Sequence, residues 1–313
     1  MTSSNNSNSE DYWFEYVLEL DPNVIKKLIH EEFITSLDKQ IHLDIYGKDE
    51  PNLKVTIIFI HGTAVYSKFY AEFLYNLYKE GYRIVAVDLP GHGMSEGRRG
   101  HFSMEELTAV VSDVVTYMID IFGDNIAVMG SSLGGFTSLY AVAADERIKA
   151  GICHNAAILN EGAHKKIVKV GLGYKILKPF VPIFAKLIPT LRISVWAYLD
   201  AEHLFQDEAL VEKMEIVMND KLISDRYTLK SIATQMRAPL ARPIEEIETP
   251  IMILNSNHDV LFSVEYMQEI FDRLKNSRNK KLEIIENAAH LILHERPDEC
   301  LKRIIPWLNQ IFQ

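Results

Sequence analysis

One pattern constrains this chain more than any other: short apolar runs that alternate with stretches of helical periodicity. Lys54 to Ile60 reads KVTIIFI and ends at His61-Gly62, and Arg83 to Val87 reads RIVAV. Asn125 to Met129 reads NIAVM, and Lys149 to Cys153 reads KAGIC. Between them, Ser67 to Glu80 puts Tyr70, Phe73, Leu74 and Leu77 on one face before Gly81 stops the helix. A later segment opens on the capping-box pattern Ser103-Met-Glu-Glu106 and carries Leu107, Val110, Val111, Val114 and Met118 on one side. Strands without polar alternation are buried on both faces. The pattern therefore predicts an α/β fold, a mostly parallel sheet with helices on both sides.

The alternation lapses near Asn160. It resumes at Pro250-Ile-Met-Ile-Leu254, followed by a helix from about Val264 to Leu274, the strand Leu282 to Ile285 and a terminal helix to Phe312. The intervening residues read as helices and irregular turns broken by Pro179, Pro182 and Pro189. The expected organisation is a disordered tail over 1–12, a first core part over 13–160, an inserted helical cap over 161–242 and a second core part over 243–313. Within the first part, the residues from Tyr12 to Tyr46 form a mixed lead-in ending in the strand-like QIHLDIYG.

Charge and composition exclude several classes. A net charge of −10 opposes nucleic-acid binding, which needs a basic face. The two cysteines, Cys153 and Cys300, form neither a disulfide framework nor a zinc pattern, so no metal or cofactor is expected. The N-terminal MTSSNNSNSEDYW lacks the apolar core of a secretory signal, and no run of roughly 18 apolar residues exists. A cytoplasmic setting is the expectation.

The chemistry concentrates where strands end. Gly130-Ser131-Ser132-Leu133-Gly134 fits G-x-S-x-G between a buried strand and a helix, the context of a nucleophile elbow. In that sharp turn the central serine is presented at the carboxyl edge of the sheet, and the next helix offers its first N–H groups to a developing negative charge. The spacing favours Ser132 over Ser131. A serine nucleophile needs a base, and the base an orienting acid, in the chain order serine, acid, histidine. Asp259 follows the strand at Leu254 in the loop Asn-Ser-Asn-His-Asp, and His290 follows the strand at Ile285. His294, one helical turn on, and His258 are the rival bases. An acid could also come from the end of the earlier strand, but His154-Asn155 stands there. Oxyanion donors are expected from the backbone of Leu133 and of Thr63, in the loop His61-Gly62-Thr63-Ala64. His92, between two glycines, reads as a structural turn histidine.

Together, His61-Gly62, Asp88-Leu-Pro-Gly-His-Gly-x-Ser-Glu-Gly97, Gly130-x-Ser-x-Gly-Gly135, Asp259 and Ala289-His290 resemble the monoacylglycerol lipase and lysophospholipase branch of the α/β-hydrolases. The resemblance spans roughly residues 40 to 312. It implies a serine hydrolase that cleaves carboxylic esters, with lipid-like acyl esters as the substrate class. The branch also holds peptidases and acyltransferases, and a non-catalytic binding protein on the same fold is a further alternative. Ser256 stands where the family usually has glycine. Asn219 to Thr228 resembles the end of the family's cap. A serine at the elbow opposes dehalogenase and epoxide-hydrolase chemistry, which uses aspartate.

Between Glu161 and Asp200 there is no acidic residue, yet Lys165, Lys166, Lys169, Lys175, Lys178, Lys186 and Arg192 occur among apolar and aromatic side chains. Two readings fit: a cap that turns apolar residues to the pocket and lysines to water, or a segment that meets anionic lipid surfaces.

Overall fold

A computed structural model describes residues 21–53, 55–166, 180–197, 199 and 204–313. The tail expected over 1–12, and Lys169, Lys175 and Lys178 of the basic stretch, lie outside the described residues.

Eight strands build the central sheet in the order β1-β2-β4-β3-β5-β6-β9-β10. They are β1 (Ile29–Ser36), β2 (Lys39–Tyr46), β3 (Thr56–Ile60), β4 (Arg83–Val87), β5 (Ile126–Ser131), β6 (Ala150–His154), β9 (Ile251–Ser256) and β10 (Lys281–Ile285). From β4 to β10 all neighbours are parallel, and β2 pairs antiparallel with both β1 and β4. A mostly parallel sheet is thus observed, as the alternation predicts.

Helices α2 (Ala71–Lys79), α3 (Met104–Phe122), α4 (Leu133–Ala144), α8 (Val264–Arg273) and α9 (Pro297–Ile311) cover the sheet; α1 (Pro22–Leu28) precedes it. Successive strand residues face opposite sides. Ile58, Ile60, Val85, Val87, Ile126 and Val128 share one apolar core with α3 and α4. Ile57, Phe59, Ile84, Ala86, Ala127 and Met129 share the other with α2 and α9. The capping box of α3 is complete: Ser103 Oγ accepts from the Glu106 N–H at 3.2 Å, and Glu106 Oε2 accepts from the Ser103 N–H at 2.8 Å.

Two local expectations need correction. The lead-in before Tyr46 is a full hairpin, β1 against β2, closed by Leu37 and Asp38 at φ 49° and 58°. Two residues at positive φ match the twist of the strands, but no glycine advertises the turn. Helix α4 starts at Leu133, directly after the one strained residue that completes the turn. The insertion between β6 and β9 is not purely helix and turn. Alongside α5 (Val181–Leu187), α6 (Glu208–Met218) and α7 (Leu229–Gln235), it holds an antiparallel pair, β7 (Arg192–Ser194) and β8 (Arg226–Thr228). These strands have three residues each and lie far apart in sequence, so no local periodicity marks them.

Candidate active site

Strand β5 ends at Ser131 and α4 begins at Leu133, so Ser132 alone makes the turn. It sits at φ 55° and ψ −113°, a conformation that costs a non-glycine residue on the order of 1–3 kcal/mol. Two glycines let the chain close so tightly. A Cβ on Gly130 would overlap the Gly134 carbonyl oxygen, and one on Gly134 would overlap that of Ile60. The two rival serines differ in environment. Ser131 is buried, with its Oγ 2.9 Å from His154 Nδ1, whereas Ser132 is partly accessible and lines a small cavity with Thr63 and His290.

The loop after β9 carries Asp259, and the loop after β10 carries His290, both at the carboxyl edge that presents Ser132. His290 Nδ1 lies 2.8 Å from Asp259 Oδ2. The carboxylate also accepts from Asn155 Nδ2 at 3.1 Å and, at Oδ1, from the N–H groups of Leu261 (2.7 Å) and Phe262 (2.9 Å). Burial pushes this carboxyl up. The adjacent His290 and the hydrogen bonds outweigh burial and hold it below the usual carboxylate range. With Nδ1–H given to Asp259, the base lone pair of His290 is left at Nε2. Phe262 stacks on the His290 ring at 5.8 Å.

The rival histidines His294 and His258, and His92, are engaged elsewhere. His294 Nε2 donates to the Phe69 carbonyl at 2.9 Å, and burial pulls its pKa down to about 4. His258 is exposed and meets Gln206 Nε2 at 3.0 Å. His92 is a turn residue, as expected: its Nδ1 meets the Pro90 carbonyl at 3.2 Å and its Nε2 the Tyr227 hydroxyl at 2.9 Å.

The loop His61 to Ala64 is tied from several sides. The His61 ring donates from Nδ1 to the Gly62 carbonyl at 2.8 Å and accepts from the Leu89 N–H at Nε2, 3.0 Å away. The Gly62 N–H reaches the Tyr70 hydroxyl at 3.2 Å. The Ala64 N–H donates to the Tyr227 hydroxyl at 3.0 Å, and the Ala64 carbonyl accepts from the Ser224 N–H at 2.8 Å. Thr63 is thereby held beside Ser132. Leu133, as the first residue of α4, has no carbonyl four residues back within the helix to receive its N–H.

Several residues of this site escaped the sequence reading. His154 and Asn155 were weighed only as an absent acid. Yet the His154 carbonyl accepts the Ser132 N–H at 2.8 Å, and Asn155 spans Asn255 (2.7 Å) and Asp259. Burial pulls His154 down to about 3, so it stays neutral at physiological pH. Glu295 supports the histidine loop: its Oε2 accepts from the Ala289 N–H at 2.6 Å, and its Oε1 accepts from the Gln206 N–H of the insertion. The Leu204 carbonyl accepts from the N–H groups of His290 and Leu291 at 3.0 and 3.1 Å.

Among the described residues, two clusters have ligand-type side chains. His154, Asp259 and His290 bring donor atoms within 4.8 Å of one another, but His290 Nδ1 and Asp259 are engaged with each other. At Glu31, His42 and Asp44, the ammonium of Lys68 supplies the cation, 2.7 Å from Glu31 and 3.4 Å from Asp44.

Beside the small cavity, of about 50 Å³, lies a larger one of about 740 Å³, within the range of small-molecule sites. Trp196, Leu204 and Met214 line both, and Phe205, Val211 and Met218 extend the apolar wall.

The sheet order, the strained serine between strand and helix, and the acid and histidine at neighbouring strand ends define a serine hydrolase of the α/β-hydrolase class. The chain belongs to the family described as serine aminopeptidase, S33, which matches residues 51–297. An abhydrolase domain-containing protein of Dictyostelium discoideum is 23% identical over 264 residues, covering 82% of this chain; the chain spans 26% of that longer protein. The monoacylglycerol lipase of Paleococcus ferrophilus shares the fold with a TM-score of 0.68 at 21% identity, over 90% of this chain and 98% of its own. A soluble variant of the monoglyceride lipase of Saccharomyces cerevisiae, in complex with a substrate analogue, gives a TM-score of 0.71 at 15% identity, over 90% and 96%. The fold and the membership in an α/β-hydrolase family are those expected from the motifs.

Proposed function

We propose that this α/β hydrolase cleaves carboxylic esters with apolar acyl chains, such as monoacylglycerols or lysophospholipids. The observation that carries the reading is His290, held 2.8 Å from Asp259, lining with Ser132 one cavity whose wall continues into the apolar space lined by Met214 and Trp196. In this mechanism Ser132 Oγ attacks the ester carbonyl carbon and gives its proton to His290 Nε2. The N–H groups of Thr63 and Leu133 bind the oxyanion. The bond to the alkoxy oxygen breaks, and the leaving alcohol takes the proton from His290. Water then attacks the acyl carbon, passing its proton through His290 back to Ser132 Oγ as the acid departs. Asp259 keeps the imidazole in the tautomer that can accept. The insertion serves as a cap over the acyl chain.

The test is an activity panel over acylglycerols, lysophospholipids, nitrophenyl esters of graded length and aminoacyl amides. Esters should dominate, and Ser132→Ala should lose about 10⁴-fold or more in kcat/KM while keeping its fold. A Ser132→Ala enzyme of normal activity removes the nucleophile assignment. An aminopeptidase reading draws on the family description and on Glu215, a carboxylate at the larger cavity suited to a substrate amine. Faster turnover of aminoacyl amides than of esters would establish it.

A further inference from the structure

The exposed apolar surface is concentrated in one place. Eleven large apolar side chains are exposed among the described residues, and six fall in twelve consecutive positions: Phe180, Ile183, Phe184, Leu187, Ile188 and Leu191. Leu187 is 72% exposed and Ile183 56%. They follow the helical spacing of α5 and its exit turn, so they form one ridge. The opposite side of α5 packs inward through Val181 and Ala185. An apolar ridge of this kind marks a contact surface.

Tertiary structure gathers cations around it. Lys186 and Arg192 are exposed on the ridge segment itself. Arg98, from the loop after β4, donates to the Thr190 carbonyl at 3.3 Å, which places it against the same turn. The Arg226 carbonyl is 3.5 Å from Arg192 Nη2, and the Lys230 N–H donates to the Pro189 carbonyl at 3.1 Å. Asp225 adjoins Arg226 and reduces this rim by one charge. Glu106 is shared between Lys39 (3.3 Å) and Lys230 (3.9 Å).

We infer that this ridge seats the protein on an anionic lipid surface, with the apolar side chains in the acyl boundary and the arginines and lysines among the headgroups. Charge decides between this occupant and a second copy of the chain. A two-fold contact would set one cationic rim against another, whereas an anionic membrane complements it. Four residues after Arg192, Trp196 lines both cavities, so the docked segment runs directly into the wall of the proposed acyl site.

Sedimentation of the full chain with phosphatidylcholine vesicles, with and without phosphatidylserine, tests the inference. The protein should bind the anionic vesicles, and added salt should weaken binding. Ile183→Ser/Leu187→Ser and Lys186→Glu/Arg192→Glu should each lower anionic partitioning roughly tenfold or more. Their turnover of a short soluble ester should match the wild type, which shows that both variants are folded. Ser132→Ala should still bind, which separates docking from hydrolysis. No binding by the wild type, or binding by either double variant equal to that of the wild type, overturns the inference. So does a concentration-dependent dimer that the serine variant abolishes, since the ridge would then belong to a second copy.

Discussion

The rim of the sheet and the insertion above it solve different problems. At the rim every functional group is over-determined. Asp259 accepts four hydrogen bonds, Ser132 is locked between strand and helix, and His290 is stacked, bonded and buried. The insertion is held unevenly. Its later part is pinned to the core: Tyr66 Oη donates to Asp220 at 2.5 Å, Ser224 Oγ to the Gly91 carbonyl at 2.8 Å, and the Thr228 N–H to the Gly100 carbonyl at 2.9 Å. Its earlier part leans on the later one, through Leu229 N–H to the Leu191 carbonyl and Lys230 N–H to that of Pro189, and it exposes apolar surface. Under the proposed function this is a division of labour: the rim would set the chemistry, and the insertion what reaches it.

The sharpest test of that division is His290→Ala. It should lower kcat/KM by about 10⁴-fold or more for every ester, whatever its chain length. His294→Ala, which loses the bond to the Phe69 carbonyl and the ring packing on Phe69 and Tyr70 but leaves the His290–Asp259 pair in place, should retain most turnover. Steady-state kinetics across the chain-length series reads the comparison. If His294→Ala matched His290→Ala, the base would be misassigned.

A smaller effect is expected where the two regions meet. Tyr227→Phe removes the hydroxyl shared by the Ala64 N–H and His92, leaving a buried donor and acceptor without that partner. It should cost about 1–3 kcal/mol in urea unfolding. Because the loop also carries Thr63, kcat should fall about tenfold with KM little changed. A rise in KM with intact kcat would mean that Tyr227 serves substrate binding rather than the oxyanion loop.

The smallest effect belongs to the insertion alone. Met214→Ala trims the wall shared by both cavities. It should reduce the preference for long over short acyl esters by about 10-fold, and leave short esters nearly unaffected. Equal losses on short and long esters would erase the distinction between rim and insertion.

Much of the rim was legible because its signals are local. A buried strand, G-x-S-x-G and a helix lie within twenty residues, and the acid and histidine each follow a short apolar run. The supports were less legible. His154 and Asn155 stood in view at the end of β6, but their partners Ser131, Asn255 and Asp259 come from other segments. Glu295 ends the short helical turn Ile292–Glu295, and only folding shows that its carboxylate holds the histidine loop.

By itself, the sequence determined the parallel sheet, the helices that cover it, and the strand ends that carry Ser132, Asp259 and His290, because burial and turn chemistry are written in adjacent residues. Only the tertiary structure decided the β1–β2 hairpin, the β7–β8 pair, the Tyr227 link to the Ala64 loop, and the meeting of Arg98 with the Phe180–Leu191 ridge. The hairpin is local but its two-residue turn carries no glycine to announce it; each of the others joins segments whose pairing depends on closing long loops, and no short stretch of chain contains both halves of the contact.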